Sequence, residues 1–171
     1  MTVAIGFSTT KSITSRFIRW ITRSRFSHSY VRYTNGNLKA EMVIDADPRG
    51  IIEKPLERVY GENSSWVELV PPTREKKRLL KRNLQFLAPT LGTEFDYLSF
   101  FGRAVVIIGD FFRKKWKNPL SNKRKDICVE NCLRLAVGAE PSLWRLDWES
   151  ETPESLYEKL VDLGWVEIPK Q

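Results

Sequence analysis

Hydrophobic and polar residues alternate over the first 70 positions in short runs that predict β-strands separated by turns. The run at residues 27–33 (SHSYVRY) is rich in β-branched and aromatic side chains, and Asn35-Gly36 follows it. Asn-Gly is the strongest sequence signal for a short hairpin, so the next run should return beside this strand. A helix is predicted between the first two strands, at residues 11–22. The predicted strands are residues 2–7, 27–33, 38–46, 51–55 and 66–70.

After Pro71-Pro72 the apolar residues no longer recur at every second position, as in a strand, and recur at every third or fourth position, as in a helix. Thr152-Pro153 predicts a helix start, because Thr is a good N-cap and Pro is favoured in the first turn, and Gly138 predicts a helix end. This order of elements predicts an α+β fold, with an antiparallel β-meander or small barrel packed against helices, in one domain over residues 1–171. The predicted helices are residues 73–87, 96–112, 127–137 and 153–163, with a terminal strand at 165–168.

Composition is that of a globular protein: 42% of the residues are hydrophobic, and the net charge is +7. Two basic clusters carry much of the positive charge. One begins at Arg74 and ends at Arg82, and the other begins at Arg113 and ends at Lys125. Such clusters bind nucleic acid, anionic lipid or an acidic partner, and a solvated surface is an equal alternative. No sequence pattern of a specific nucleic-acid reader accompanies them.

The apolar segments are too short for a membrane protein. Residues 1–7 lack the apolar core and cleavage site of a signal peptide. The longest apolar stretch, residues 98–112, is interrupted by Arg103 and Asp110, and a spanning helix needs about 20 apolar residues. We therefore expect a soluble protein without signal peptide or transmembrane segment, either cytoplasmic or associated with a virion.

The two cysteines, Cys128 and Cys132, lie four positions apart in a predicted helix. A disulfide at this spacing would strain the helix, so we expect free thiols in a reducing compartment. Two cysteines and one histidine also fall short of a closed zinc site. The sequence predicts neither a metal nor a cofactor.

Cys128 is the candidate nucleophile. It stands at the predicted start of a helix, directly after a basic loop, and a helix N-terminus favours the thiolate. The same N-terminus could supply a backbone N–H to the oxyanion of a tetrahedral intermediate. The alternative is a small apolar residue in a buried helix, which is our interpretation of Cys132.

His28 is the only histidine, so any histidine-dependent proton transfer in this chain must use it. It is predicted on a strand, on the same side as Tyr30 and Arg32. A third polar residue should orient its ring, and we favour Asp45 on the returning strand. Glu41, Asp47 and Glu130 remain alternatives for this third residue, and an isolated structural histidine remains the alternative for His28.

Several short stretches resemble the circularly permuted branch of the NlpC-type papain-like superfamily, which includes YiiX-like amidases and, more distantly, lecithin–retinol acyltransferase-like proteins. In unpermuted papain-like enzymes Cys precedes His, whereas here His28 precedes Cys128 by 100 positions. Val129 follows Cys128 where Ser is common, and Asp45 stands where Glu or His is more frequent. The matching stretches are residues 5–8 (IGFS), 15–24 (SRFIRWITRS), 26–28 (FSH), 43–46 (VIDA), 95–97 (FDY) and 127–130 (ICVE).

The resemblance implies a permuted papain-like fold and a cysteine peptidase or amidase of bacterial or phage origin. Matched residue by residue, Cys128 is the nucleophile, His28 the base and Asp45 the third residue. The implied substrates are peptidoglycan peptides or acyl lipids, hydrolysed or transferred through a thioester.

Two other functions remain open. The chain could be a structural or binding component of a virion or cell-envelope assembly, with residues 113–117 and 144–148 as contact surfaces. Nucleic-acid binding through the basic clusters is the third hypothesis, and only charge supports it.

Overall fold

The computed structural model describes residues 2–47, 50–62, 65–93, 128–148 and 150–169. Its strands are β1 (Val3–Thr9), β2 (His28–Asn35), β3 (Ala40–Asp47), β4 (Gly50–Pro55), β5 (Ser65–Val70) and β6 (Val166–Glu167). Its helices are α1 (Ile13–Thr22), α2 (Leu56–Glu62), α3 (Arg74–Asn83), α4 (Cys128–Val137) and α5 (Pro153–Asp162), with 3-10 segments at Leu84–Thr90 and Pro141–Arg145.

The six strands form one antiparallel sheet in the order β4-β3-β2-β1-β5-β6. The predicted meander is correct for β1 to β4. The small barrel is wrong for the described strands, because β4 and β6 are the outer strands of an open sheet. β5 pairs with β1 rather than with β4, which places β1 in the interior of the sheet, and all seven of its residues are buried.

Helices cover both faces of the sheet. α3, α4 and α5 bury apolar side chains such as Leu80, Leu133 and Leu156 against one face, in the main core. On the other face α2 packs Val59 against Tyr30 of β2 in a smaller cluster. The sequence did not predict α2, which is only seven residues long. The resulting arrangement is the predicted α+β class.

The helix predicted over residues 73–87 is shorter than expected. α3 begins after the N-cap Thr73, whose side chain accepts a hydrogen bond from the Lys76 amide, and it ends at Asn83. The chain continues as a 3-10 segment that contains Pro89, whose ring removes a donor and disfavours an α-helical residue before it. α3 carries the first basic cluster, in which Lys76 pairs with Glu140 at 2.6 Å.

Other predicted boundaries agree with the structure to within a few residues. Thr152 caps α5 through a reciprocal capping box with Ser155, as the Thr-Pro signal predicted. The β2–β3 connection is longer than a two-residue turn, because Asn35 pairs with Ala40 and four residues lie between them. The predicted helix at residues 96–112 and the second basic cluster lie outside the described residues.

α5 is joined to the segment that leads into β2. Glu154 accepts hydrogen bonds from the backbone N–H of Arg25 at 2.6 Å and from its guanidinium Nε at 2.7 Å. Phe26 packs between Phe7 of β1 and Tyr157 of α5. These contacts fix the path of the chain just before His28. Within the described ranges, no helix has both the length and the apolar character that crossing a bilayer would require.

Candidate active site

His28 and Asp45 lie in contact on neighbouring strands of the sheet. His28 begins β2, and Asp45 is on β3, in the register that places Val31 opposite Ile44. Asp45 lies on the same face as Tyr30 and Val43, and His28 lies at the first position of β2, at the end of the strand. The Nε2 atom of His28 is hydrogen-bonded to Oδ1 of Asp45. The structure therefore brings together two of the residues that the sequence singled out.

Lys54 joins this pair from the outer strand β4. Its Nζ lies 2.7 Å from Oδ2 of Asp45, and the side chains of Lys54 and Asp45 are only 7% and 6% exposed. One carboxylate thus contacts two cations through its two oxygens. Buried charges are stable when they are paired in this way, so the arrangement holds the carboxylate in one orientation.

The two cations determine the charge of Asp45. Burial opposes ionisation, but the neighbouring imidazolium of His28 and then the ammonium of Lys54 outweigh it and hold the pKa of Asp45 well below its usual range. Asp45 is therefore a carboxylate at neutral pH. It accepts hydrogen bonds rather than donating them.

Asp45 in turn favours the protonated form of His28. Burial opposes the charge on the ring, but interaction with Asp45, and then with the thiol of Cys128, raises the pKa of His28 well above 6.5. The side chain is 23% exposed, so the ring is reachable from solvent. Because Nε2 bonds to Asp45, Nδ1 is the ring nitrogen left for a second partner.

Cys128 interacts with that ring from α4. Burial would raise the pKa of the thiol, but interactions with His28, and then with the backbone N–H of Ser29, lower it below the ordinary value of a cysteine. A lowered thiol pKa beside a raised imidazole pKa favours a thiolate–imidazolium pair. The residues before Cys128 lie outside the described ones, so its place at the first turn of the helix stays a prediction.

Cys132 lies one turn further along α4 and differs from Cys128 in its surroundings. It is fully buried in the main core, as the sequence predicted, and burial raises the pKa of its thiol far above the ordinary value. The hydroxyl of Ser29 lies beside both thiols and is buried without an ordinary hydrogen bond among the described residues. Because its thiol is buried and its pKa is raised, Cys132 is a poor nucleophile.

The alternative third residues are placed differently. Glu41 accepts hydrogen bonds from Arg32 Nε at 2.9 Å and from the Thr34 hydroxyl at 2.6 Å, toward the other end of β2. Glu130 lies on the first described turn of α4, and the side chain of Asp47 is outside the described atoms. Among the described carboxylates, Asp45 is the one that contacts His28.

Sequence reasoning missed two residues of this site, Lys54 and Ser29. A signal for Lys54 was present: it is a lysine inside a predicted strand, two residues from Ile52, which opposes Asp45 in the sheet. Placing the two side chains together required the β3–β4 register, which the sequence did not specify. Ser29 followed His28 directly, but its neighbours depend on how α4 packs against β2.

A cavity of about 210 Å³ lies on the same face of the sheet, between α2 and β5, away from His28. Its polar groups bind one another: Arg32 donates to Glu68 at 2.5 Å and to Glu41 at 2.9 Å. Burial and the carboxylate of Glu68 raise the pKa of the neighbouring Tyr60 to about 12. This cluster stabilises the sheet and is separate from the candidate site.

The comparisons with known proteins include a likeness to a solved structure. No protein-family model matches the chain, and no curated protein matches it. Among solved structures, the chain is similar to the metalloprotein YiiX from Escherichia coli O157:H7, with a TM-score of 0.55 and 19% sequence identity over 82% of this chain and 67% of that one. At this identity the likeness supports a YiiX-like fold alone. The wider papain-like relationship and the permutation stay predictions.

Proposed function

We propose that this protein is a cysteine-dependent hydrolase or acyltransferase that acts on an amide or ester through Cys128, His28 and Asp45. The observation that carries the proposal is the hydrogen bond between Asp45 and the imidazole with which the Cys128 thiol interacts. Asp45 holds Nε2 of the only histidine, and the ring of that histidine interacts with a thiol of lowered pKa. Thiol catalysis uses a nucleophile, a base and an orienting group, and these three residues would supply them.

The reaction would proceed through a thioester. The Cys128 thiolate attacks the substrate carbonyl carbon, and the tetrahedral oxyanion collapses with cleavage of the amide or ester bond. The leaving amine or alcohol takes a proton from the imidazolium of His28. Water or an acceptor alcohol or amine then attacks the thioester, gives its proton to His28 and releases Cys128 as the thiolate. The predicted helix start at Cys128 would supply a backbone N–H to the oxyanion.

Asp45 and Lys54 would set the properties of the base. Asp45 holds the ring so that Nδ1 remains for the thiol, and its negative charge stabilises the imidazolium. Lys54 pairs with the same carboxylate, and its positive charge partly offsets the stabilisation that Asp45 gives to the imidazolium. The proposed substrates are peptidoglycan peptides first and acyl lipids second.

A metal has no part in this proposal, although the E. coli neighbour is described as a metalloprotein. The described residues contain no cluster of three or more His, Cys, Asp or Glu side chains that could hold a metal ion. The carboxylate nearest the histidine already pairs with the ammonium of Lys54, which would repel a cation. The described donor set does not fit a metal, and no step is assigned to one.

Alkylation of the two cysteines by iodoacetamide tests the proposal, because Cys132 serves as an internal control. We expect Cys128 to react already at neutral pH, with a rate that follows its lowered pKa, while Cys132 stays unmodified in the folded protein. On an active substrate, Cys128→Ala should reduce the rate at least about a thousandfold, whereas Cys132→Ala should leave most of it.

Two results would contradict the proposal. One is a Cys128 that reacts no faster than a free thiol in a peptide of the same sequence. The other is a Cys128→Ala variant that keeps the activity of the wild type.

A further inference from the structure

α1 presents its largest apolar side chains to solvent. Ile13, Phe17 and Trp20 are 85%, 45% and 77% exposed. Their spacing of four and three residues places them on one side of the helix, where the rings of Phe17 and Trp20 lie 6.3 Å apart. The one buried residue of α1 is Ser15. The helix therefore exposes large apolar side chains that an ordinary surface helix would turn toward the core. We call the three side chains the α1 ridge.

Hydrogen bonds hold α1 in this orientation. The Ser15 hydroxyl bonds to the hydroxyl of Ser27 at 2.6 Å and to that of Thr9 at 3.0 Å, which joins the helix to the end of β1 and to the residue before β2. Ser12 caps its first turn. A rotation that buried the α1 ridge would break these buried contacts, so the ridge is a fixed outer surface.

The chain segment that carries the α1 ridge has charges of one sign. The first 40 residues contain seven Lys and Arg residues and no Asp or Glu, whereas the rest of the chain contains 21 of each kind. The charges of residues 41–171 therefore cancel, and the net charge of +7 comes from residues 1–40, which include α1. Arg16 lies within the helix and is exposed, Arg19 is half-buried, and Lys11 and Arg23 flank the two ends of the helix and are exposed.

We propose that the outer side of α1 docks onto an anionic membrane surface. A helix with Trp, Phe and Ile on one side and arginines beside them is suited to lie in the plane of a bilayer interface, with the rings among the acyl chains and the cations at the headgroups. Because the inner side of α1 is joined to the strands, only one side is free. A flat surface can use one side, whereas a protein groove encloses more of a helix.

Nucleic acid fits the same surface less well. Phosphates would engage the arginines, but a polyanion leaves Ile13 and Phe17 in water. Docking through α1 would bring the end of the sheet that carries His28 to the membrane, since Ser27 contacts Ser15 and precedes His28 directly. The docking surface does not depend on the chemistry proposed for Cys128.

Sedimentation of the full chain with vesicles tests this proposal. We expect binding to mixed phosphatidylcholine–phosphatidylglycerol vesicles and little to phosphatidylcholine alone. The double variant Phe17→Ser/Trp20→Ser should bind at least about tenfold more weakly, because both side chains are exposed and lose apolar contact with lipid. Lys11→Gln/Arg16→Gln should weaken binding about 30-fold.

Matched variants elsewhere separate this surface from general charge and hydrophobicity. Phe86 and Trp144 are 60% and 70% exposed, so Phe86→Ser/Trp144→Ser removes the same two residue types from other surfaces. Lys77→Gln/Arg78→Gln removes two exposed charges from α3. Both controls should bind vesicles nearly as the wild type does.

Three results would overturn the proposal. The first is equal binding to both kinds of vesicle, or to neither. The second is a loss in the control variants as large as that in the α1 variants. The third is tighter binding to duplex DNA than to anionic vesicles, with no effect of Phe17→Ser/Trp20→Ser on either.

Discussion

At the scale of single residues, the carboxylate of Asp45 is shared between an imidazole and an ammonium. Its Oδ1 contacts His28 and its Oδ2 lies 2.7 Å from Lys54. Among the residues that the structure describes, the ionisable groups around His28 are Asp45 of β3 and Cys128 of α4, with Lys54 of β4 behind the carboxylate and Cys132 further along α4. Lys54 reduces the negative potential at the ring, so it adjusts the basicity of His28 without touching it.

Replacing Lys54 should raise the pKa of His28. In Lys54→Met the carboxylate no longer has its ammonium partner, so it favours the imidazolium more strongly, and we expect the pKa of His28 to rise measurably. The C2 proton of the only histidine gives one NMR signal to follow against pH. The matched variant Lys77→Met, on the exposed side of α3, should leave the titration unchanged. A pKa that is unchanged or lower in Lys54→Met would contradict this role.

The loss of unfolding free energy caused by Asp45→Asn should be largest at intermediate pH and smaller in acid and in alkali. The pKa of Asp45 is lowered by folding, so its contribution is present above about pH 4 and is lost as the pH falls through the folded value. The pKa of His28 is raised, so its share is present below about pH 6.5 and is lost as the pH rises through the folded value. Asp45→Asn should therefore cost most between these limits, about 3 kcal/mol.

Urea unfolding of wild type and Asp45→Asn over a pH series measures that difference. The comparison cancels the other titrating groups, because both proteins share them. A difference in unfolding free energy that stays constant from acid to alkaline pH would mean that the pair contributes no charge interaction.

At the scale of elements, the contact between β1 and β2 depends on one glycine. Gly6 pairs with Tyr30 across the two strands, and the ring covers it so closely that an added Cβ would lie 2.1 Å from Cζ of the ring. The Tyr30 hydroxyl is also fixed, since it donates to Glu68 at 3.0 Å. The ring cannot move away without losing that buried hydrogen bond.

Gly6→Ala should therefore destabilise the protein by about 2–3 kcal/mol. Gly36→Ala is the control: its Cβ would meet nothing within 4 Å, and we expect a change within about 0.5 kcal/mol. In a Tyr30→Ala background the cost of Gly6→Ala should largely disappear, because the colliding ring is gone. Urea unfolding of the four variants and the wild type provides the measurement, and equal costs in both backgrounds would contradict the collision.

The elements also show which sequence signals were sufficient. The Thr152 capping box and the chain reversal after Asn35 were predictable because their side chains bond to the local backbone. α3 was predicted too long, since the period of its leucines continues through Leu84 and Leu87 into the 3-10 segment. α2 was missed because seven residues are too few for a periodic pattern to stand out.

At the scale of the whole molecule, the sequence predicted the α+β class and the closeness of His28 to Asp45. A single histidine left one candidate base, and a hairpin brings consecutive strands together whatever the rest of the fold does. The sequence could not predict that β5 would pair with β1, because that pairing depends on packing between distant elements. Lys54 was missed for the same reason, since β4 had to be placed beside β3 in a definite register.

The contact between α5 and the segment before β2 gives a prediction at this scale. Glu154→Gln should weaken the hydrogen bonds to Arg25, so the amide of Arg25 should exchange with solvent about tenfold faster. Glu158→Gln, on the exposed side of the same helix, is the matched control and should leave that amide unchanged. Hydrogen exchange followed by NMR measures both. Equal exchange in wild type and Glu154→Gln would mean that α5 does not hold this segment.

That same contact has a consequence for biosynthesis. The carboxylate that fixes Arg25, three residues before the candidate base, is translated 129 positions later. A nascent chain can pair β1 to β4 early, yet Arg25 lacks its carboxylate partner until Glu154 has left the ribosome. This link between α5 and the segment before β2 can therefore form only after α5 has been synthesised.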